Sequence, residues 1–366
     1  MHNGVTTLTV EKNCDPMCGD RDKETPLHRA AWKGQMNIVK FFTDKMHCDP
    51  TSRSVHNATA LHVAVEGGHL DIVRFFISDQ NCDSNIPGQD GETPLHYAAE
   101  FGHLRIVKYL TDELCCNPLC LDDTNWTPLH FAAMRGHTDV VKFLTVEKHC
   151  NPMCRDGDQD TPLHNAARKG YMDIVKFLTL EMHCDPTSRN GHNASALHGA
   201  AEGGHLDIVQ FFITDRNCDP SIPGQDGGTS LHYAAMFGHL HIVKYLIDEQ
   251  GCNPSCLDDF KRTPLHLAAQ QGHMDIVKFL TLEKKCDPML KNCDNNTALH
   301  SAVYGGHLQV VSFFIEKLKC PPDVMGHHNR IPLQLAIIGH HLDIVQYLLK
   351  CTDLLTTIKQ LGLMQK

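Results

Sequence analysis

Twenty-seven histidines and 17 cysteines in 366 residues are the side chains with the most chemistry to offer. They could bind zinc, carry thiol redox chemistry, or pair Cys with His for nucleophilic attack. Four cysteine pairs, Cys14/Cys18, Cys116/Cys120, Cys150/Cys154 and Cys252/Cys256, share a C-x-x-x-C spacing. A zinc site would want a second pair or histidines at matching spacing. His149 beside Cys150 and His183 beside Cys184 come nearest, but the Pro inside these stretches reads as a turn. A Cys–His dyad can be drawn from so many pairs that none stands out. There is no G-x-x-x-x-G-K-S/T phosphate loop and no H-E-x-x-H. There is no G-x-S-x-G elbow either. The expectation is no metal, no cofactor and no enzymatic activity.

The elements that position these residues explain them better. The phrase Thr161-Pro162-Leu163-His164 recurs at residues 25, 93, 127 and 263. Looser copies start at 59, 195, 229 and 297, and the last is Ile331-Pro332-Leu333-Gln334. Every step is 34 residues. A fixed period of this size predicts a solenoid. Thr then Pro opens a helix, because the hydroxyl can accept an orphan N–H and Pro has no N–H to lose. Leu163, Ala166 and Ala167 share one face, and Gly170 ends the helix. A second helix, Met172 to about Leu180, carries Ile174, Val175, Phe177 and Leu178 as its apolar stripe. His183-Cys184-Asp185-Pro186 and a turn-rich finger follow. Nine histidines belong to the phrase, and His69, His103, His137, His205, His239, His273, His307 and His341 follow the helix-turn Gly. Both sets read as structural.

This pattern resembles the ankyrin repeat, with its T-P-L-H-x-A-A-x-x-G-H phrase and I-V-K-F-L second helix. The resemblance implies an all-α ankyrin-repeat solenoid of helix-turn-helix units with extended β-hairpin-like fingers. Ten repeats occupy residues 22–350. The usual period is about 33 residues, and the additional residue here is expected at the end of the second helix. The Gly expected after that helix survives only as Gly251, and Cys-Asp-Pro or Cys-Asn-Pro replaces Asp-Val-Asn. The tenth repeat, with Gln334 for His and His340 for Gly, looks like a degenerate cap. Ten cysteines from Cys14 to Cys320 form a ladder at the same period of 34. Repeats of this family stand too far apart for the ~7 Å limit on a disulfide. The ladder is therefore read as small packing residues at the family's usual Ala position. The phrase histidines would tie each repeat to the neighbouring finger.

Residues 1–21 look like a partial repeat or N-terminal cap. Thr9-Val10-Glu11-Lys12 echoes Thr145-Val146-Glu147-Lys148, which suggests an array entered partway. Residues 351–366 are expected to form a C-terminal capping helix with Leu354, Leu355, Ile358 and Leu361 on one face; a helix for a partner is the alternative. A second repetition lies above the first. Glu66–Val73 returns as Glu202–Val209 and Ile86–Gly91 as Ile222–Gly227, an offset of 136, or four repeats.

The formal charge of −10 argues against nucleic acid or an anionic membrane as partner. No apolar run approaches the ~20 residues that cross a bilayer. Free thiols fit a reducing, cytoplasmic setting, and a monomer is expected. Finger aspartates such as Asp156, Asp158 and Asp160 read as turn formers and solvated charge.

What remains is surface. Positions that vary inside a repeated frame are those packing does not dictate, and in ankyrin proteins they line the concave groove that binds partners. Here they carry Trp32, Tyr97, Phe101, Trp126, Phe131, Met134, Arg135, Tyr233, Met236, Phe237, Phe260 and Arg262. Aromatic and Arg side chains dominate protein interfaces. The sequence therefore predicts a non-enzymatic scaffold or adaptor that binds partner proteins. The alternative is the ankyrin fragment of a larger channel, enzyme or effector.

Overall fold

The computed structural model describes residues 17–351. Most of the partial repeat expected over residues 1–21, and all but Cys351 of the capping helix expected over 351–366, lie outside them. The chain forms two units, Met1–Ala166 with Asp173–Cys184 and Ala167–Met172 with Asp185–Lys366. Among the described residues all regular structure is helical.

Every phrase starts a helix one residue in. The first unit contains Pro26–Trp32, Ala60–Glu66, Pro94–Glu100 and Pro128–Arg135; the second contains Ala196–Gly203, Ser230–Met236, Pro264–Gln271, Ala298–Tyr304 and Pro332–Ile338. Thr, Ser or Ile at the N-cap is extended, as at Thr127 (φ −99°, ψ 163°). These helices are too short to persist alone. They stand because Leu and two small residues bury one face against the next first helix: Leu129, Ala132 and Ala133 are almost fully buried. The Val and Phe or Tyr of each second helix close the other side, as Val107, Tyr109 and Leu110 do.

The additional residue of the 34-residue period has a physical home. Eight second helices, such as Thr138–Lys142, run into a π-helical turn, here Phe143–Glu147. The Lys148 N–H reaches the Phe143 carbonyl five residues back at 3.1 Å, and the Cys150 N–H reaches Leu144 six back at 2.9 Å. A π turn is a one-residue insertion into an α-helix. The residue between those two donors, His149, has φ +54°. His47, Asn81, Cys115, His183, Asn217, Lys285 and Lys319 repeat it with φ between +50° and +57°, and Gly251 with +67°. The left-handed conformation is thus retained where the glycine is gone. Replacing exposed Cys115, His149 or Lys285 with Gly should raise stability by about 0.5–1 kcal/mol each, since L-residues resist this conformation. A urea midpoint that stays or falls would show these side chains are held by contacts of their own.

Repeats are tied by two histidine sets. In the first, Nδ1 accepts the N–H of its own N-cap residue, as His62 does from Thr59 at 3.2 Å. Nε2–H then donates to the next finger: His62 to Ile86 O at 3.0 Å, His96 to Cys120 O and Trp126 O at 3.2 Å. The expected role of the Thr hydroxyl holds at Thr263, which accepts the His266 N–H at 3.4 Å. Its shorter contact, 2.8 Å, is with the ring Nδ1. In the second set, Nε2–H donates to the end of the preceding first helix: His103 to Glu66 O at 2.8 Å, His137 to Glu100 O at 2.7 Å. The outer side adds cations over rings, Arg74 on Tyr109 at 4.3 Å and Lys108 on Phe143 at 5.0 Å.

Several fingers are tight turns held by one side chain, whereas those at Gly88, Gly224 and Gly326 are closed by the backbone alone at that position. Asp122 Oδ1 accepts the N–H groups of Thr124 at 2.9 Å and Trp126 at 2.7 Å. Asp156 does the same for Asp158 and Asp160, and Asp258 for Phe260 and Arg262. Adjacent fingers share a backbone bond, Asp123 N–H to Asp90 O at 2.9 Å and Gly157 N–H to Thr124 O at 2.9 Å. Asp156 and Asp160 are buried, which corrects their reading as solvated charge; Asp158 is exposed. The carboxylate faces inward because the turn needs its oxygen there.

Candidate partner-binding surface

Among the described residues no group of three or more His, Cys, Asp or Glu is placed to hold a metal ion. Cys120 Sγ does lie 3.8 Å from the His96 ring nitrogens. Burial raises the Cys120 thiol to about 11 and lowers the His96 imidazole, so both are neutral at pH 7. A thiolate nucleophile needs the opposite shifts. The ladder members Cys82, Cys150, Cys184 and Cys218 are buried and likewise raised to about 11, chiefly by desolvation. Exposed Cys18, Cys115, Cys293 and Cys351 should therefore react with an aromatic disulfide well before the buried ladder members, which should react only on unfolding. Equal rates for both sets would show that the ladder is accessible.

The variable positions fall on the first helices and the finger tips. In the first unit, Trp32 and Phe101 are exposed at helix ends, Trp126 and Met134 half-buried, and Arg135 exposed. Tyr97 and Phe131 differ: both are buried. Tyr97 packs edge-on against His62 at 5.0 Å and Phe131 against His96 at 5.6 Å. In these two repeats the aromatic ring after the phrase thus covers the tying histidine of the repeat before. The Tyr97 ring also stacks on Phe101 at 6.4 Å, and Trp126 meets Phe131 edge-on at 5.1 Å. Arg135 is bound to Glu100, its Nε 3.1 Å from Oε1.

In the second unit, Tyr233, Met236, Phe237 and Arg262 line one cavity of about 370 Å³ with Asp258 and Leu267. Tyr233 is half-buried on His198, while Met236, Phe237 and Phe260 are exposed. The Arg262 guanidinium lies over the Phe260 ring at 4.9 Å and pairs with buried Asp258 at 2.6 Å.

Glu92 and Glu100 stand at variable surface positions of the sequence but were not among the predicted binding residues. Burial is the first cause that raises Glu92, to about 7, with Glu100, Asp122 and Asp90 adding to it. Glu66 is raised by burial and by Glu24 and Glu100, against a hydrogen bond from Trp32. Their signal was present as variation, since Gly228 and Met236 stand where Glu92 and Glu100 do four repeats earlier.

Stacked helix pairs, tying histidines and fingers define a repeat protein. A family model described as ankyrin repeats (3 copies) matches overlapping segments, 1–87, 46–120, 76–156, 111–190, 142–223, 197–292 and 281–358. The chain belongs to the ankyrin-repeat family. Ankyrin repeats are generally protein–protein interaction modules and typically non-catalytic. No curated protein matches the chain. Among the described residues no helix is long and apolar enough to cross a membrane.

Proposed function

We propose that this protein is a non-enzymatic scaffold or adaptor that binds partner proteins on the surface formed by its first helices and finger tips. It would act as a cytoplasmic monomer that engages neither nucleic acid nor the membrane interior. The observation that carries this is the placement of Trp32, Phe101, Met236, Phe237 and Phe260, all exposed at positions the repeat frame leaves free. Aromatic side chains are the usual anchors of protein interfaces. The ties between repeats hold that surface before a partner arrives, which lowers the entropy cost of association.

The test is affinity capture from cell extract with the wild type beside a Phe101→Ser, Trp126→Ser, Phe237→Ser, Phe260→Ser variant. Circular dichroism should show that the variant keeps its helices. Partners held by the wild type should be lost. Wild-type capture by the variant would place recognition elsewhere on the chain.

A further inference from the structure

The two units carry the same aromatic pair on differently charged ground. Tyr97 and Phe101 correspond to Tyr233 and Phe237 at the 136-residue offset. In the second unit the acids beside the pair are balanced from within. Glu202 meets Arg168 at 3.5 Å and Asp258 meets Arg262 at 2.6 Å. In the first unit Trp32 stands in place of Arg168 and Trp126 in place of Arg262, while Glu92 replaces Gly228 and Glu100 replaces Met236. Burial raises the Tyr97 phenol, and the Glu92, Glu100 and Glu66 carboxylates add to it. Among the described residues Arg135 pairs with Glu100. The Glu92 carboxylate forms no ion pair among the described residues, although it is half-buried. Charge has been added to this surface, and the cations that neutralise its counterpart have been replaced by indole rings.

We propose that the first-unit surface around Tyr97 and Phe101 binds a basic segment of a partner protein. A Lys or Arg enters among Glu66, Glu92 and Glu100, and its aliphatic stem lies on the aromatic rings. This deepens the reading given above and rests on it. Trp and Tyr faces attract cations as well as covering apolar stems. A partly desolvated carboxylate gains more from a counter-charge than one in open water. Burial, which holds the Glu92 carboxyl well above its ordinary range, shows what that carboxylate lacks when no partner is bound. The second-unit surface, already neutralised, is the built-in control.

The full chain would be screened against a positional-scanning library of short synthetic peptides, followed by fluorescence titration of the selected sequences. The wild type should select Lys or Arg beside apolar residues, and salt should weaken binding. A Glu92→Gly, Glu100→Met variant should lose about tenfold or more in affinity for those peptides. It takes both residues from the second unit, whose frame folds around them. Phe101→Ser should also weaken binding. Selection without basic enrichment, or basic peptides held equally by the Glu variant, overturns the proposal. Peptides without basic enrichment that are still lost on Phe101→Ser would leave the wider surface reading standing. Peptides indifferent to both changes would count against each. Selection of nothing overturns the basic-segment proposal, and the capture experiment then decides the wider reading alone.

Discussion

Acidification from pH 7 to pH 5 is expected to open the second unit before the first. Burial lowers the His300 imidazole to about 4, and also lowers His232, His239 and His266. A histidine whose folded value lies below its unfolded one contributes fully above about pH 6.5 and loses its contribution as pH falls toward 4. For His300 the loss between pH 7 and pH 5 is about 2 kcal/mol, with the other three acting in the same direction. The first unit has His62 and His130 lowered to about 4, and His28 and His96 lowered as well. There the raised carboxyls of Glu92 and Asp156, at about 7 and 6, act oppositely. A group with a raised folded value favours the fold below that value, so these two offset part of the acid loss. Hydrogen exchange followed by mass spectrometry at the two pH values resolves the units. Protection should fall first over residues 230–304. Simultaneous loss would show that the carboxyls do not offset the histidines.

His300→Gln sharpens the test. In the tenth repeat Gln334 fills the histidine position, and its Oε1 accepts the Ile331 N–H at 3.0 Å. Glutamine therefore supplies the same acceptor without titrating. The variant should flatten the acid loss in the second unit by about 2 kcal/mol.

Gly102→Ala carries a large expected cost. Gly102 has φ +73°, and an added Cβ would stand 2.3 Å from the Nδ1 of His137. The ring cannot yield without loosening its 2.7 Å bond to the Glu100 carbonyl. The conformational part costs about 1 kcal/mol and the displaced, partly buried ring about 1–3 more. Gly251→Ala isolates the first part, since its φ is +67° and no atom lies within 4 Å of its Cβ position. Chemical denaturation should place Gly102→Ala well below Gly251→Ala. Equal midpoints would remove the interlock between Gly102 and His137 from the account of stability.

The repeat, its two helices and the histidine ties were legible because every repeat solves one packing problem with the same residues. The left-handed residue after the second helix was harder to read. Its usual marker is Gly, whereas His149, Cys115 and Lys285 hold the conformation under the constraint of the π turn. Variation was a fair guide to surface at Phe101 and Phe260. It misled at Tyr97 and Phe131, whose rings turn inward to cover His62 and His96 of the repeat before. The carboxylates around Tyr97 were left out of the predicted binding residues for another reason. An isolated Glu on a finger or helix end reads as solvation until the neighbouring repeat half-covers it.

The reach of the histidine ties bears on how the chain acquires its structure. Each joins residues 24 to 37 apart, whether His62 to Ile86 or His103 to Glu66. The loop closed by such a bond stays the same size wherever it forms. Closure entropy grows with loop length, and low contact order speeds folding. Adding or removing whole repeats should therefore leave the elementary folding step almost unchanged. A nascent chain can begin closing its first ties once about two repeats have emerged.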